Sequence, residues 1–393
     1  MKILRITGLL AGLIALMLGM SHAQEAKPVA GSAEHSDWPS FRGDREQSGV
    51  AGGRLTEKPV LLWTYATEAA IASSPVVEGG RVFVGSDDYH VHAIDLETGK
   101  GLWKFPTDDM IEAPPLVHGD TVYVGSTDVF FYALDKATGK LRWKFETGDK
   151  IQGGATWFQS GEDLRIVFGS YDASLYCLDA KTGELVWQYE TENYVNGTPA
   201  VWDDHVVFGG CDARLHVVDM KTGKAKQQLD MGAECHIAGS VGISKGQAFF
   251  GHYGNEFVRV DLATGEVKWH YGDGRNPYFS APSIRGDRVI FGGRDKMLHS
   301  VDFETGEPQW TFKTRRKIDA SPILCGDLVA FGSADGRLYL LDVKTGESRW
   351  TYDIGQSIFS SPAVAAGRLL IGANDGLLYA FGAAELQPDQ KGR

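Results

Sequence analysis

Short runs of alternating apolar and polar or small residues fill most of the chain, and most of them are rich in Val, Phe, Leu and Tyr. Arg81-Val-Phe-Val-Gly85 is one such run, and a glycine closes its counterparts at Gly125, Gly169, Gly209, Gly251, Gly292, Gly332 and Gly372. A period of two over four to six residues predicts half-buried strands, not helices. Between these runs stand three other short phrases, Ser-Pro-x-Val, Leu-Tyr-x-Leu-Asp and x-x-Trp-x-Phe, each bounded by turn residues. The pattern predicts units of four short strands joined by tight turns.

The units repeat. Thr-Gly recurs with its glycine at 99, 139, 183, 223, 265, 306 and 346, so the spacings are 40, 44, 40, 42, 41 and 40 residues. Four residues before each glycine stands an Asp, from Asp95 and Asp135 to Asp342, and four after it stands Trp103, Trp143, Trp187, Gln227, Trp269, Trp310 or Trp350. Four strands in about 41 residues make one propeller blade. The Asp carboxylate can accept turn N–H groups, the Gly can take positive φ, and the Trp is expected to pack against the neighbouring blade.

There are eight strand-ending glycines but seven Thr-Gly turns, and the eighth unit, 360–381, stops before its Trp strand. Leu61-Leu62-Trp63-Thr64-Tyr65 has that strand's pattern and precedes the first unit. The expected fold is therefore all-β, an eight-bladed β-propeller of four-stranded antiparallel blades spanning 59–382, its ring closed by an N-terminal strand. Residues 24–58 read as a linker that lies against the ring through Trp38 and Phe41, and 383–393 as a tail.

At the start, Lys2 and Arg5 precede the apolar run Leu9–Leu18, and Ser21-His22-Ala23 supplies small residues, which reads as a signal peptide over 1–23. The implied compartment is periplasmic or otherwise extracytoplasmic, with no membrane span left after cleavage. The first cysteine is Cys177, so no lipid-accepting Cys follows the cleavage point. The formal charge of −12 makes nucleic acid a poor partner.

The phrase Ala-Leu-Asp-x-x-Thr-Gly-x-x-x-Trp, as at Ala133 to Trp143, resembles the repeat of the pyrroloquinoline quinone (PQQ) propeller superfamily over residues 61–382. Asp37-Trp38-Pro39-Ser40-Phe41-Arg42-Gly43-Asp44 is similar to the lead-in segment of some members. That superfamily holds large quinoprotein dehydrogenases and smaller BamB-type outer-membrane protein assembly factors without catalysis, and the length resembles the second group. The resemblance implies a monomeric envelope scaffold that presents loops to protein partners and has no cofactor. The alternatives are a small PQQ-dependent oxidoreductase and a carbohydrate-binding propeller. Two departures stand out. The BamB-type lipid-accepting Cys is missing, and no two of Cys177, Cys211, Cys235 and Cys325 are adjacent, as they are in quinoprotein alcohol dehydrogenases.

Three groups of residues depart from the repeat. His90 and His92 form a His-x-His pair, but His92 occupies a position that is Tyr or His in most blades, which favours packing over metal binding. Gly242-Ile-Ser244-Lys-Gly246 matches a hydrolase elbow yet falls in a predicted hairpin, the wrong context for a nucleophile. In blades four and five, Cys211, Cys235, His236 and His252 fall in loops expected on one face, where Cys211 and Cys235 form a possible disulfide. Arg275, Arg294, Arg315, Arg316 and Lys317 give that face a basic side, while Asp108, Asp109, Glu112, Glu190 and Glu192 give it an acidic one. With Gln227 counted as a fourth irregularity, the loop face of blades four to seven is the expected partner-binding surface, suited to envelope proteins or acidic glycans.

Overall fold

The computed structural model describes residues 37–384, so the predicted signal peptide and the end of the predicted tail lie outside the described residues. Eight antiparallel sheets follow one another around an axis as blades one to eight. Seven are built in chain order from one stretch each: 76–106, 116–146, 155–190, 200–230, 242–271, 283–313 and 323–353. The eighth takes three strands from 363–382 and its outer strand, Val60–Ala66, from the start of the chain. That strand pairs antiparallel with Leu377–Gly382, with Thr64 opposite Tyr379, and so closes the ring as the sequence predicts. Among the described residues no helix is long and apolar enough to cross a membrane.

Each turn of the repeat does the job its residues dictate. Asp135 Oδ1 accepts the amides of Ala137 at 3.2 Å and Thr138 at 2.9 Å and the Thr138 hydroxyl at 2.7 Å, while Gly139 takes φ +71°. In all eight blades the third and outer strands slip register by one residue beside the Trp position. The indole then lies on the Thr-Gly turn of the next blade. A Cβ on Gly183 would stand 2.6 Å from the Trp143 ring, and Trp143 Nε1 donates to Ala180 O at 3.1 Å. The same bond joins Trp63, in the outer strand of blade eight, to Leu96 of blade one at 3.0 Å. Trp350 lacks it because blade eight has no Thr-Gly turn, and it meets Phe381 edge-on at 5.3 Å instead.

The core is divided among the blade interfaces. Phe131 of blade two stacks on Phe168 of blade three at 3.9 Å, and Phe257 of blade five on Phe291 of blade six at 3.7 Å.

Residues 37–51 run along the axis, where the inner strands offer their free edges. Trp38 exchanges two backbone bonds of 2.8 Å with Val77 of blade one. Pro39, Arg45, Glu46, Ser48 and Gly49 then accept the amides of Val117, Val201, Ile243, Ile284 and Leu324 in blades two, four, five, six and seven, at 2.7–2.9 Å. Arg45 lies over Trp157 of blade three at 4.7 Å, and Val50–Ala51 adds a parallel strand to blade seven. Arg42 is fully buried at the centre, where it donates to Pro282 O at 2.6 Å, to Ser283 Oγ at 2.9 Å and to Pro322 O. Burial lowers its pKa to about 9, with Asp44 opposing. The lead-in segment thus touches the ring through far more than Trp38 and Phe41, and it fills one end of the central channel.

Candidate binding face

The open end of the channel lies on the face where the inner strands begin. Here every blade repeats one backbone bond. The residue two places after the strand-ending glycine donates its amide to the turn that leads into its own blade. The donors in order are Asp87, Thr127, Tyr171, Cys211, Tyr253, Arg294, Ala334 and Asn374. Constant backbone with unrelated side chains is what a presentation surface requires.

Inside that ring lies a second one. Each leading turn carries an Ile, Val or Tyr that packs where a strand-ending glycine has no Cβ; a Cβ on Gly85 would come within 2.3 Å of Ile111. The residue after it faces the channel mouth, and Gln152, Asn196, Ala238, Phe279, Asp319 and Phe359 line a cavity of 280 Å³ floored by Phe41. Beneath these, amides donate to hydroxyls of the next blade: Gly154 to Thr198, Thr198 to Ser240, Ala281 to Ser321, Ser321 to Ser361 and Ser361 to Ser74, at 2.9–3.0 Å.

The mouth is sorted by chemistry. On one side Asp87 stands near Glu112, which accepts a hydrogen bond from Gln152. Burial, then Glu112 and Asp88, pushes the Asp87 carboxyl up to about 6, and its buried Oδ1 has no hydrogen-bond partner. Next comes an aromatic sector. Tyr171 stacks on Tyr194 at 4.8 Å with Lys150 over its ring, and Tyr253 packs on Phe279 at 4.6 Å. Tyr194 and Tyr253 are nearly half exposed, so part of each ring faces solvent.

The structure brings the blade four and five group together. His236 Nδ1 bonds Cys211 O, the His236 ring meets Tyr253 at 6.1 Å, and a Cβ on Gly254 would touch both Cys235 Sγ and His252. The possible Cys211–Cys235 disulfide is not formed; both are free thiols, as are Cys177 and Cys325. His252 is buried and its Nδ1 accepts the Gly254 amide at 3.1 Å, so the ring is held neutral and burial lowers its pKa. Burial likewise raises the Cys211 and Cys235 thiols, which disfavours thiolate chemistry.

The basic group divides into three. Arg294 grips Asp319 with two bonds of 2.9 and 3.1 Å, and Lys317 reaches the same carboxylate at 2.6 Å. Arg275 sits apart on an exposed turn, 3.9 Å from Asp273. Arg315 and Arg316 border a separate groove with Gly355 and Gln356. Gln227 does not join this face. It packs under Gly265 of the Thr-Gly turn, at the opposite end of the blades, where the other positions hold Trp.

His90 and His92 also have structural partners: His92 Nε2 lies 3.0 Å from Asp88 and Nδ1 3.1 Å from Tyr65, and His90 Nδ1 bonds Asp88 O. The same carboxylate four residues earlier holds Tyr132, Tyr176, His216, His299, Tyr339 and Tyr379. Sequence reasoning saw the aromatic position but missed its Asp partner, which the spacing would have revealed. Gly242–Ser244 is an inner strand in a hairpin, as expected from its place in the repeat.

The sequence matches the family described as "Outer membrane protein assembly factor BamB" over residues 60–156, 132–352 and 228–388. No curated protein sequence gives a significant match. Among solved structures, BamB from Moraxella catarrhalis superposes with a TM-score of 0.71 at 20% identity, covering 84% of this chain and 99% of that one. Quinohemoprotein alcohol dehydrogenase from Comamonas testosteroni gives 0.76 at 16% identity, covering 90% and 82%, and a europium-containing methanol dehydrogenase gives 0.73 at 13%, covering 88% and 98%. At these identities the structural likenesses establish the propeller and nothing about chemistry. The family match spans nearly the whole ring, and the chain belongs to the family of outer membrane protein assembly factor BamB.

Proposed function

We propose that this protein is an exported, monomeric scaffold of the cell envelope that binds a protein partner at its channel mouth and catalyses no reaction. The observation that carries the reading is the double ring at the mouth. Side chains of mixed chemistry stand on one backbone pattern repeated in eight blades, around a channel whose far end the chain itself fills. Rigid strands that hold variable turns suit recognition.

A PQQ site beside a divalent cation needs several oxygen ligands converging on the metal. Among the described residues no three His, Cys, Asp or Glu side chains are so placed, and Arg294 and Lys317 at the mouth already share Asp319. That scarcity of converging carboxylates supports the scaffold reading. A carbohydrate ligand is the second reading, favoured by the solvent-facing parts of the Tyr194 and Tyr253 rings beside Asn196 and Gln152.

Affinity capture from the native envelope with the mature chain tests the proposal. One stoichiometric protein partner, lost on Tyr253→Ala, supports it. PQQ-dependent dye reduction, micromolar PQQ binding with Ca²⁺, or capture abolished by a glycosidase would replace it.

A further inference from the structure

Five of the turns that lead into the blades share a frame built on a Thr, and two of these five lack a part. In the turns into blades two, three and four, the Thr107, Thr147 and Thr191 hydroxyls donate to the carbonyl two residues on, at 2.6–2.7 Å. The residue carrying that carbonyl then caps the next amide with its own side chain. Asp109 accepts from Met110 at 2.8 Å, Asp149 from Lys150 at 2.7 Å and Asn193 from Tyr194 at 2.8 Å. Each turn therefore satisfies its own donor.

The turn into blade seven keeps the frame. Thr314 donates to Arg316 O at 2.6 Å, and the Arg315 amide reaches Asp335 at 3.0 Å, as Asp108 reaches Asp128 at 2.9 Å. At the capping position, however, stands Arg316, which has no acceptor to offer. The Lys317 amide has no partner among the described residues. Among the described residues neither Arg315 nor Arg316 makes an ion pair, whereas Arg294 and Lys317 nearby both pair with Asp319. The two arginines edge a groove of 460 Å³ with Gly355, Gln356 and Ser357 on its far side; Asp335 also lines it, its carboxylate already taken up by the Arg315 and Arg337 amides and the Tyr339 hydroxyl. Ala69 also leaves the amide after it uncapped in the turn into blade one, but there the neighbouring cation, Lys104, pairs with Glu68 at 3.7 Å. Among the described residues only the blade-seven turn combines a missing acceptor with two guanidinium groups outside any ion pair, on a chain whose formal charge is −12.

We propose that this groove is a carboxylate-binding subsite for an acidic segment of the protein partner. An Asp or Glu side chain of the partner takes the place that the Asp109 and Asp149 carboxylates take in their own turns. It accepts the Lys317 amide and charge-assisted bonds from Arg315 and Arg316, a geometry the guanidinium fork suits. The inference rests on the reading of the loop face as the partner surface, and it names the chemistry that the partner brings there.

Fluorescence anisotropy with a labelled oligoglutamate peptide at low ionic strength tests it. The mature chain is expected to bind, and Arg315→Gln with Arg316→Gln to weaken binding by about tenfold or more. Arg316→Asp restores the internal cap and is expected to abolish binding while the melting temperature holds or rises. Equal binding by the Gln double variant, or an equal loss from Arg275→Gln alone, overturns the subsite. So does equally tight, Arg315-dependent binding of an oligogalacturonate. Cross-linking of the native partner from Tyr253 separates the two levels. If cross-links form but oligoglutamate never binds, the subsite fails and the loop-face reading stands; if no cross-links form in the parent chain, the loop-face reading fails.

Discussion

The Ser361 amide donates to Ser74 Oγ at 2.9 Å, although 287 residues separate them in the chain. The bond belongs to the series of amide-to-hydroxyl contacts that links successive blades under the channel mouth, and here it spans the junction of blades eight and one. With the Val60–Ala66 strand and the Trp63–Leu96 bond, it makes the junction of the two chain ends resemble any other blade contact.

Closure has a direct consequence for truncation. Removing residues 24–66 takes away the lead-in and the outer strand of blade eight, exposing an edge and lowering the melting temperature of the whole ring, whereas removing 24–34 leaves it nearly unchanged. Ser74→Ala leaves the buried Ser361 amide without its acceptor and is expected to cost about 1–2 kcal/mol in a denaturant melt. Equal melting temperatures for both truncations would contradict the closure.

The indole contacts can be weighed the same way. Trp143→Ala loses the ring packed on Gly183 and the bond to Ala180, a loss of about 3 kcal/mol. Gln227→Ala, at the one repeat position without an indole, is expected to cost less than about 1 kcal/mol. Similar losses at both sites would show that the Trp does not hold the blades together.

Much of this was readable from the residues and some was not. The blade count, the closing strand and the Trp contact follow from a strict spacing, because the turns need Asp, Thr and Gly at fixed places. The mouth residues Asp87, Tyr171, Tyr253, Phe279 and Phe359 carry no such signal, since what marks them is variation on a constant backbone. The path of residues 37–51 was also hidden, because its partners are backbone amides of six different blades and no side-chain pattern records them. The basic group looked like one patch in sequence, yet Asp319 ties two of its members together.

Asp87 predicts a pH effect. Its folded pKa of about 6 lies above the ordinary 3.8, so below about pH 4 it is protonated folded or unfolded and contributes nothing. As pH rises through 6 the folded state must hold a charge that burial and Glu112 oppose. Asp87→Asn is therefore expected to stabilise the fold above pH 6, by about 1 kcal/mol after solvent screening, and to have no effect near pH 4. Melts of both chains across this range check it; a benefit greatest at low pH would reverse the sign.

Arg42 pins the lead-in at the axis. Arg42→Met takes the donor from the buried Pro282 carbonyl and one of two donors from Pro322, which keeps the Ser283 hydroxyl, and is expected to cost about 2–3 kcal/mol and open residues 37–51 to proteolysis. Unchanged protease resistance would mean that the backbone bonds alone hold the segment.

The partner surface is tested most directly by site-specific photo-cross-linking in the native envelope. A photoreactive residue is placed in turn at Tyr194 and Tyr253 on the mouth, and at Thr98 and Thr345 on the opposite face. The account predicts one discrete protein adduct, the same from both mouth positions and absent from both Thr-Gly positions. Adducts from Thr98 or Thr345 with none from Tyr194 and Tyr253 would place the working surface at the other end of the blades and contradict it.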